Sequence, residues 1–381
     1  MLKINLVLPH QLPFPPSRGG GVENLNWMVA REFARRGHQV VAYSRSLPDL
    51  PPCETDEHGI RHVRLQGFDL RPNRWVDHFY GWRYTRTLAP ILETADVTTF
   101  HTPFSFLLAQ RPGLGVCAHT IHRTPKWPLP LYRRLDRLYC GSDAVVTQAR
   151  LICPSIRTFK RIHNCIALPP EPARQTGRTS GAGLQFLYVG RFVPDKGIAS
   201  LVHGFAKSLA KFPANRLETI GPQQSEHGGD TKFFRTMCRY VEKNGLTDHV
   251  SFLPPEFDRA KLDARIAAAD VICVPSLAGE TFSMAILEAM ALAKPVLVSD
   301  FGPMTEAVDH LQTGYIARSG DSDSLREGIE FCSARPEELP TIGYAGFLKA
   351  KRSFSVDRVA SEYLEDFSQL IEAKRQRIAL S

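Results

Sequence analysis

The sequence lacks any apolar run of the roughly 20 residues a membrane-spanning helix needs. It also lacks a signal-peptide layout, because Met1-Leu2-Lys3-Ile4-Asn5 leads straight into a predicted strand. Its cysteines, at 53, 117, 140, 153, 165, 238, 273 and 332, never form a CxxC pair or a His/Cys cluster at zinc spacing. They read as buried thiols of a reducing compartment, and the expected location is cytoplasmic. The 13 histidines contain no HExxH, so no protein-held metal is expected. Neither GxGxxG nor a GK[ST] ending is present, which argues against a dinucleotide fingerprint and a P-loop. Nucleic acid is not an expected partner, since no recognition module accompanies the basic residues.

What is present fits two domains. A chain of 381 residues, 43% hydrophobic and 23% charged, is too long for one compact core and ordinary for a globular protein. The net charge of +8 is uneven: from 123 to 161 there are nine Lys or Arg and two Asp. Within that segment Trp127, Leu129, Leu131, Tyr132 and Leu135 interleave with Lys126, Arg133, Arg134 and Arg137. Such a surface suits anionic lipid or a phosphorylated acceptor, and equally a solvated helix over a core.

Hydrophobic patterning alternates strand and helix along the chain. The spacing predicts strands at 2–8, 39–43, 61–65, 96–100, 115–120, 144–147 and 159–162, with helices at 22–36, 75–93 and 130–139. Residues 167–183 are rich in proline and glycine and form a linker. The alternation then restarts, with strands at 184–189, 217–220, 250–253, 271–274 and 295–299 and helices at 198–211, 232–243 and 259–269. A packing helix closes the chain from 356. The fold class is α/β with two parallel sheets, in which ligands gather at the C-terminal ends of strands. His101 and His122 fall at such ends.

The chemistry centres on the stretch from Pro275 to Met290, a strand end, a loop and a helix start. Amides of Thr281, Phe282 and Ser283 at a helix N-terminus suit a phosphate. Glu288 lies among apolar helix residues, where a carboxylate needs a hydrogen-bond partner such as ribose hydroxyls. Glu280 is eight residues earlier, at most about 12 Å along a helix axis. The alternative is that Glu288 reaches water and Glu280 caps the turn. Gly190-Arg191 and Asp195-Lys196-Gly197 close the first strand of the second half. An arginine fork and a lysine point charge there suit a diphosphate, or are ordinary solvated cations. Gly19-Gly20-Gly21 after the first strand lets backbone N–H groups approach a phosphate, or is a flexible loop.

These segments together resemble glycosyltransferase family 4, enzymes of the GT-B fold. The residues that carry the resemblance are Gly20-Gly21-Val22-Glu23, Thr120-Ile121-His122, Gly190-Arg191, Asp195-Lys196-Gly197, Pro275-Ser276, Glu280 through Glu288-Ala289-Met290, Lys294-Pro295-Val296 and Gly314-Tyr315-Ile316. The resemblance implies two Rossmann-like domains facing each other across a cleft. They would be an acceptor-side domain at 1–166 and a donor-binding domain at 184–355, joined by the linker, with 356–381 free to cross back. It implies a retaining, metal-independent transfer of sugar from a nucleotide diphosphate-sugar, UDP- or GDP-linked first among candidates, to a hydroxyl of a glycan, a lipid-linked intermediate or a small alcohol.

By the same resemblance, Glu288 would hold the ribose, Glu280 the sugar hydroxyls, and Arg191 and Lys196 the diphosphate. The amides of Gly20, Gly21, Phe282 and Ser283 would assist, and 253–256, including Pro254, would meet the base through backbone. His122, with His101, would face the donor sugar. Polysaccharide or cell-envelope synthesis is the implied setting, with a peripheral contact of segment 123–161 on the inner membrane face left open. Ala293 and Cys165 depart from glycines usual in the family. An inactive sugar-nucleotide-binding scaffold, or a GT-B epimerase or phosphorylase, is the competing reading.

Overall fold

The computed structural model describes the chain except residues 18–19, 70–73, 110, 124, 126–128, 170, 173–182, 226–227 and 380–381. Most of the expected linker, and Lys126 and Trp127 of the basic segment, therefore lie outside the described residues. The chain divides into two compact units, Met1–Cys165 with Val356–Ser381, and Ile166–Ser355.

The first unit contains β1 (Lys3–Val7), α1 (Gly21–Arg35), β2 (Gln39–Ser46), β3 (Cys53–Thr55), β4 (Arg61–Gln66), α2 (Arg74–Leu88), β5 (Val97–Phe100), β6 (Val116–Ile121), β7 (Arg137–Cys140), α3 (Asp143–Ile152) and β8 (Phe159–Arg161). The sheet order is β3-β4-β2-β1-β5-β6-β7-β8. Only β3 runs antiparallel, against β4. Strands β5 and β6 are buried along their whole length, as parallel strands covered on both faces must be.

Two expectations fail here. Residues 144–147 are not a strand but lie in α3, because Ser142 caps the helix by accepting from the amide of Val145. Val145, Val146 and Ala149 then share its buried face, so packing overrides the strand propensity of the valines. Residues 130–139 are not one helix either: a 3-10 turn spans Leu129–Arg134 and β7 follows. The short β3, read as connection, is an edge strand with an exposed Cys53, so not every thiol is buried.

The second unit contains β9 (Gln185–Val189), α4 (Ile198–Ser208), β10 (Arg216–Ile220), α5 (Thr231–Lys243), β11 (Val250–Leu253), α6 (Arg259–Ala268), β12 (Val271–Val274), α7 (Met284–Ala291), β13 (Val296–Ser299), α8 (Gly302–Ala307), β14 (Gly314–Ala317), α9 (Ser322–Ala334) and α10 (Leu339–Ser353). Its all-parallel order, β11-β10-β9-β12-β13-β14, reverses direction between β9 and β12. In doubly wound sheets ligands bind at such a reversal, which here falls at the carboxyl ends of β9 and β12.

The closing helix α11 (Val356–Ala379) packs in the first unit. Val359, Ala360, Tyr363 and Phe367 are buried with Phe33 of α1 and Tyr139 of β7. Its buried Asp366 accepts from Arg137, Lys160 and the Tyr139 hydroxyl. Burial pushes this carboxyl upward, but those three donors outweigh it and hold it below the ordinary carboxylate range.

Helix α7 ends in a turn that normally uses glycine. The amide of Ala293 donates to Met290 O at 3.0 Å and that of Lys294 to Ala289 O at 2.9 Å, which puts Ala293 in the left-handed region at φ 53°. At the end of α1 the same bonds form around Gly37, at φ 83° and without a Cβ penalty. The departure at 293 is therefore a point of backbone strain. Ala293→Gly should raise stability by about 0.5–1 kcal/mol, the left-handed penalty less the entropy of a freer unfolded chain. Denaturant titration checks this: an unchanged or lowered midpoint would show that Ala293 sits there without strain.

Candidate active site

The second-unit cluster is built by two loops bonded to each other at the β9/β12 reversal. After β9 the chain turns through Gly190 and Arg191 into a short 3-10 turn, Pro194–Lys196. The amides of Leu277 and Ala278, just after β12, donate to Asp195 O at 2.8 and 3.3 Å. Gly197 adopts φ 71°, and a Cβ there would lie 1.9 Å from Pro275 O. Only glycine lets the loops close to this distance.

Closing the loops brings Lys196 against Glu280. Nζ of Lys196 donates to Oε1 of Glu280, and both side chains are mostly buried. Ser276 Oγ donates to the same carboxylate at 3.4 Å, and Ser276 O accepts from Ser299 Oγ of β13. Arg191 is exposed; its Nη1 donates to Gly228 O at 3.3 Å, and among the described residues it forms no ion pair. Two residues expected to share a diphosphate are thus placed differently: Lys196 is tied to an acid, and Arg191 projects toward solvent.

Glu288 projects from α7 and is held by Arg259, the first residue of α6. Burial raises the Glu288 carboxyl, and the Arg259 guanidinium opposes that rise. Arg259 also pairs with Asp263 at 2.6 Å. Sequence reasoning missed Arg259, although Asp258 caps α6 there and marks a helix start facing the same sheet edge. Pro254 follows β11 and is exposed, and Leu253 O accepts from Gln223 Nε2 at 2.8 Å.

The helix start also differs from expectation. Ser283 is the N-cap of α7, so Thr281, Phe282 and Ser283 precede the helix and its first-turn amides belong to Met284, Ala285 and Ile286. All three preceding side chains are buried, with Phe282 against Phe354 at 5.2 Å between ring centroids.

In the first unit Gly20 is the N-cap of α1 at φ 106°, and a Cβ there would meet Glu23 Oε2 at 2.2 Å. Gly21 is the first helical residue. Burial raises the Glu23 carboxyl to about 7, against a backbone hydrogen bond that lowers it. His101 follows β5 and His122 follows β6; Nδ1 of His101 is 2.7 Å from Nε2 of His122. Burial pushes both down, His122 to about 4, with His122 itself and His119 adding to the drop at His101 and Arg123 adding to that at His122. Both imidazoles are neutral near pH 7. Sequence reasoning gave no role to Asn26, whose Nδ2 lies 3.3 Å from Nδ1 of His101.

The basic segment is partly consumed by structure. Arg137 and Lys160 serve Asp366, and Arg161 pairs with Asp143. Exposed aromatic surface appears instead on α2, where Trp75 is 83% and Phe79 53% exposed. Among the described residues no helix is long and apolar enough to cross a membrane.

Residues 172–347 match the family model for glycosyl transferases group 1, and residues 19–174 match that for glycosyltransferase family 4. The chain is 29% identical to a phosphatidyl-myo-inositol mannosyltransferase of Mycobacterium leprae, over 95% of this chain and 96% of that one. Among solved structures it resembles sucrose-phosphate synthase from Thermosynechococcus elongatus, with a TM-score of 0.75, 20% identity, and 98% and 100% of the two chains covered. It also resembles Anabaena HepE in complex with UDP-glucose, with a TM-score of 0.74, 18% identity, and 97% and 100% covered.

Proposed function

The chain belongs to glycosyltransferase family 4 and has its GT-B fold, a nucleotide-sugar glycosyltransferase, and on that premise we propose how its residues divide the work of a retaining transfer that needs no protein-held metal. The observation that carries this reading is the Lys196–Glu280 pair at the β9/β12 reversal, with Glu288 farther along α7.

As the anomeric C–O bond breaks, negative charge grows on the departing nucleoside diphosphate. Lys196, released from Glu280, and exposed Arg191 oppose that charge, and the first turn of α7 adds backbone N–H groups. Glu280, freed in the same exchange, accepts from hydroxyls of the transferred sugar. Glu288 accepts from the ribose hydroxyls in place of Arg259. His122 contacts the donor sugar, and Gly20 and Gly21 admit its phosphate to the start of α1. No side chain is assigned as nucleophile; the acceptor hydroxyl attacks from the leaving-group face and passes its proton to the donor phosphate. A UDP- or GDP-sugar is the donor class.

The acceptor is a glycan or lipid-linked alcohol, a reading supported by the phosphatidyl-inositol substrate in the name of the mycobacterial relative. A peripheral contact with anionic membrane, expected of segment 123–161, is proposed here for α2. Trp75 and Phe79 are i and i+4 on that helix, Arg86 lies over the Trp82 ring at 5.0 Å, and Arg83 is exposed. Aromatic rings beside arginines suit the headgroup region of a bilayer. Rings from His78 through Phe104 and Phe106 to Tyr132 link α2 to the segment carrying exposed Leu131 and Arg133.

Glu288→Ala should weaken calorimetric binding of UDP or GDP, whichever the parent binds, by roughly tenfold or more, as expected for losing hydrogen bonds to a charged acceptor. Equal affinity in the variant would sink the ribose assignment. Turnover should persist in excess EDTA; abolition by EDTA with rescue by one divalent ion would overturn the metal-free mechanism. In sedimentation with vesicles, the protein should bind phosphatidylglycerol-containing membranes over neutral ones, and Trp75→Ala/Phe79→Ala should lose that binding. Equal binding by parent and variant would remove α2 from the interface.

A further inference from the structure

Three polar side chains from separate parts of the first unit form one hydrogen-bonded line. Asn26 lies on α1 three residues after Glu23, in the helix whose N-cap is Gly20. Its Nδ2 donates to Val22 O at 2.8 Å and lies 3.3 Å from Nδ1 of His101. That same Nδ1 is 2.7 Å from Nε2 of His122. The imidazole planes are tilted by 31° with centroids 5.0 Å apart.

The direction of each bond follows from what each atom can do. A carbonyl oxygen only accepts, so the amide atom beside Val22 O is the nitrogen of Asn26. That nitrogen only donates, so the ring atom it faces, Nδ1 of His101, carries a lone pair and no proton. The proton of neutral His101 is then on Nε2. At 2.7 Å from an unprotonated nitrogen, Nε2 of His122 has to be a donor. The shorter bond, from His122, takes the lone pair, and the amide at 3.3 Å adds an electrostatic preference for the same state. His122 is left with its own lone pair on Nδ1. Among the described residues no further hydrogen bond engages that ring, and the side chain is half-buried.

We propose that Asn26 is a positioning residue that fixes His101 and His122 as Nε2–H tautomers, so that His122 presents Nδ1 as an acceptor for a hydroxyl of the bound sugar. The proposal rests on the reading above in which His122 contacts the donor sugar, and deepens it by naming the group recognised. A sugar hydroxyl can donate to Nδ1. A phosphate oxygen, which only accepts once ionised, would face a lone pair and be repelled. The low proton affinity that burial gives both rings keeps this acceptor from becoming a cation near neutral pH. Nδ1 of His122 thereby selects a hydroxyl over a phosphate.

The test reads protonation directly. The full-length protein, labelled with nitrogen-15 in histidine, is examined by long-range proton–nitrogen correlation, with His101→Gln and His122→Gln used for assignment. The expected result is a protonated Nε2 and an unprotonated Nδ1 on His122. In Asn26→Asp, an acceptor-only carboxylate demands a proton on Nδ1 of His101, so the proton of His122 should leave Nε2. Turnover should fall by roughly tenfold, the worth of one buried hydrogen bond. In Asn26→Ala, with neither donor nor acceptor supplied, His122 should show a mixture of the two forms.

A parent protein with the His122 proton on Nδ1 would overturn the proposal. So would unchanged tautomers in both Asn26 variants, which is the outcome if Asn26 only bonds the Val22 carbonyl within α1. Tautomers that invert while turnover holds would remove His122 from the sugar, and the hydroxyl contact would fall with the reading it rests on. The ribose and diphosphate assignments in the second unit would then stand or fall separately on the Glu288→Ala titration.

Discussion

The closure of two loops over a missing Cβ at Gly197 is the constraint on which the second-unit site depends. The amides of Leu277 and Ala278 reach Asp195 O only because nothing projects from Gly197 toward Pro275 O. Sheet order brings the ends of β9 and β12 side by side. The backbone bonds then convert that proximity into a fixed geometry, with Lys196 on Glu280. Side-chain charge placement follows from a backbone contact, so the tight turn at Gly197 and the ion pair are one feature at two levels of structure.

Much of the fold was legible in the sequence because parallel strands buried on both faces are short continuous apolar runs. β12 and β13, four buried residues each, show this plainly. The failures have the same cause in reverse. Residues 144–147 are apolar and β-branched, like a buried strand, and only the serine before them tells a helix from a strand. Residues 130–139 mix a proline with aromatics in a span that a 3-10 turn and a strand divide, and no 3.6-residue period holds across both.

At the site, the residue types were legible and their partners were not. Glu280, Glu288, Arg191 and Lys196 were picked out by position at strand and helix ends, while the pairing of Lys196 with Glu280 spans 84 residues and depends on loop geometry. Arg259 was invisible for the same reason, since its contact with Glu288 crosses 29 residues from a different helix. Asn26 carried no signal, because an asparagine inside a helix is ordinary until a histidine from another strand end is found beside it. Ala293 was legible as a departure, and the positive φ there supplies the physical meaning of the glycine it replaces.

The two unit edges solve different electrostatic problems. In the first unit burial drives ionisable groups toward neutrality: His101 and His122 lose proton affinity, and Glu23 gains it until its carboxyl titrates near 7. In the second unit charges are kept and paired, Glu280 with Lys196 and Glu288 with Arg259. A buried carboxylate without a partner is costly, so an acid meant for ligand hydroxyls must be satisfied while the ligand is away. Lys196 and Arg259 supply such partners to Glu280 and Glu288. Under the roles proposed above, binding a sugar nucleotide is an exchange of partners rather than a rescue of bare charges. On the same proposal the exchange makes Lys196 available when the diphosphate arrives. A site that worked this way would gain little from net charge, and its selectivity would depend on whether the incoming molecule brings hydroxyls for the acids and phosphate for the cations at once.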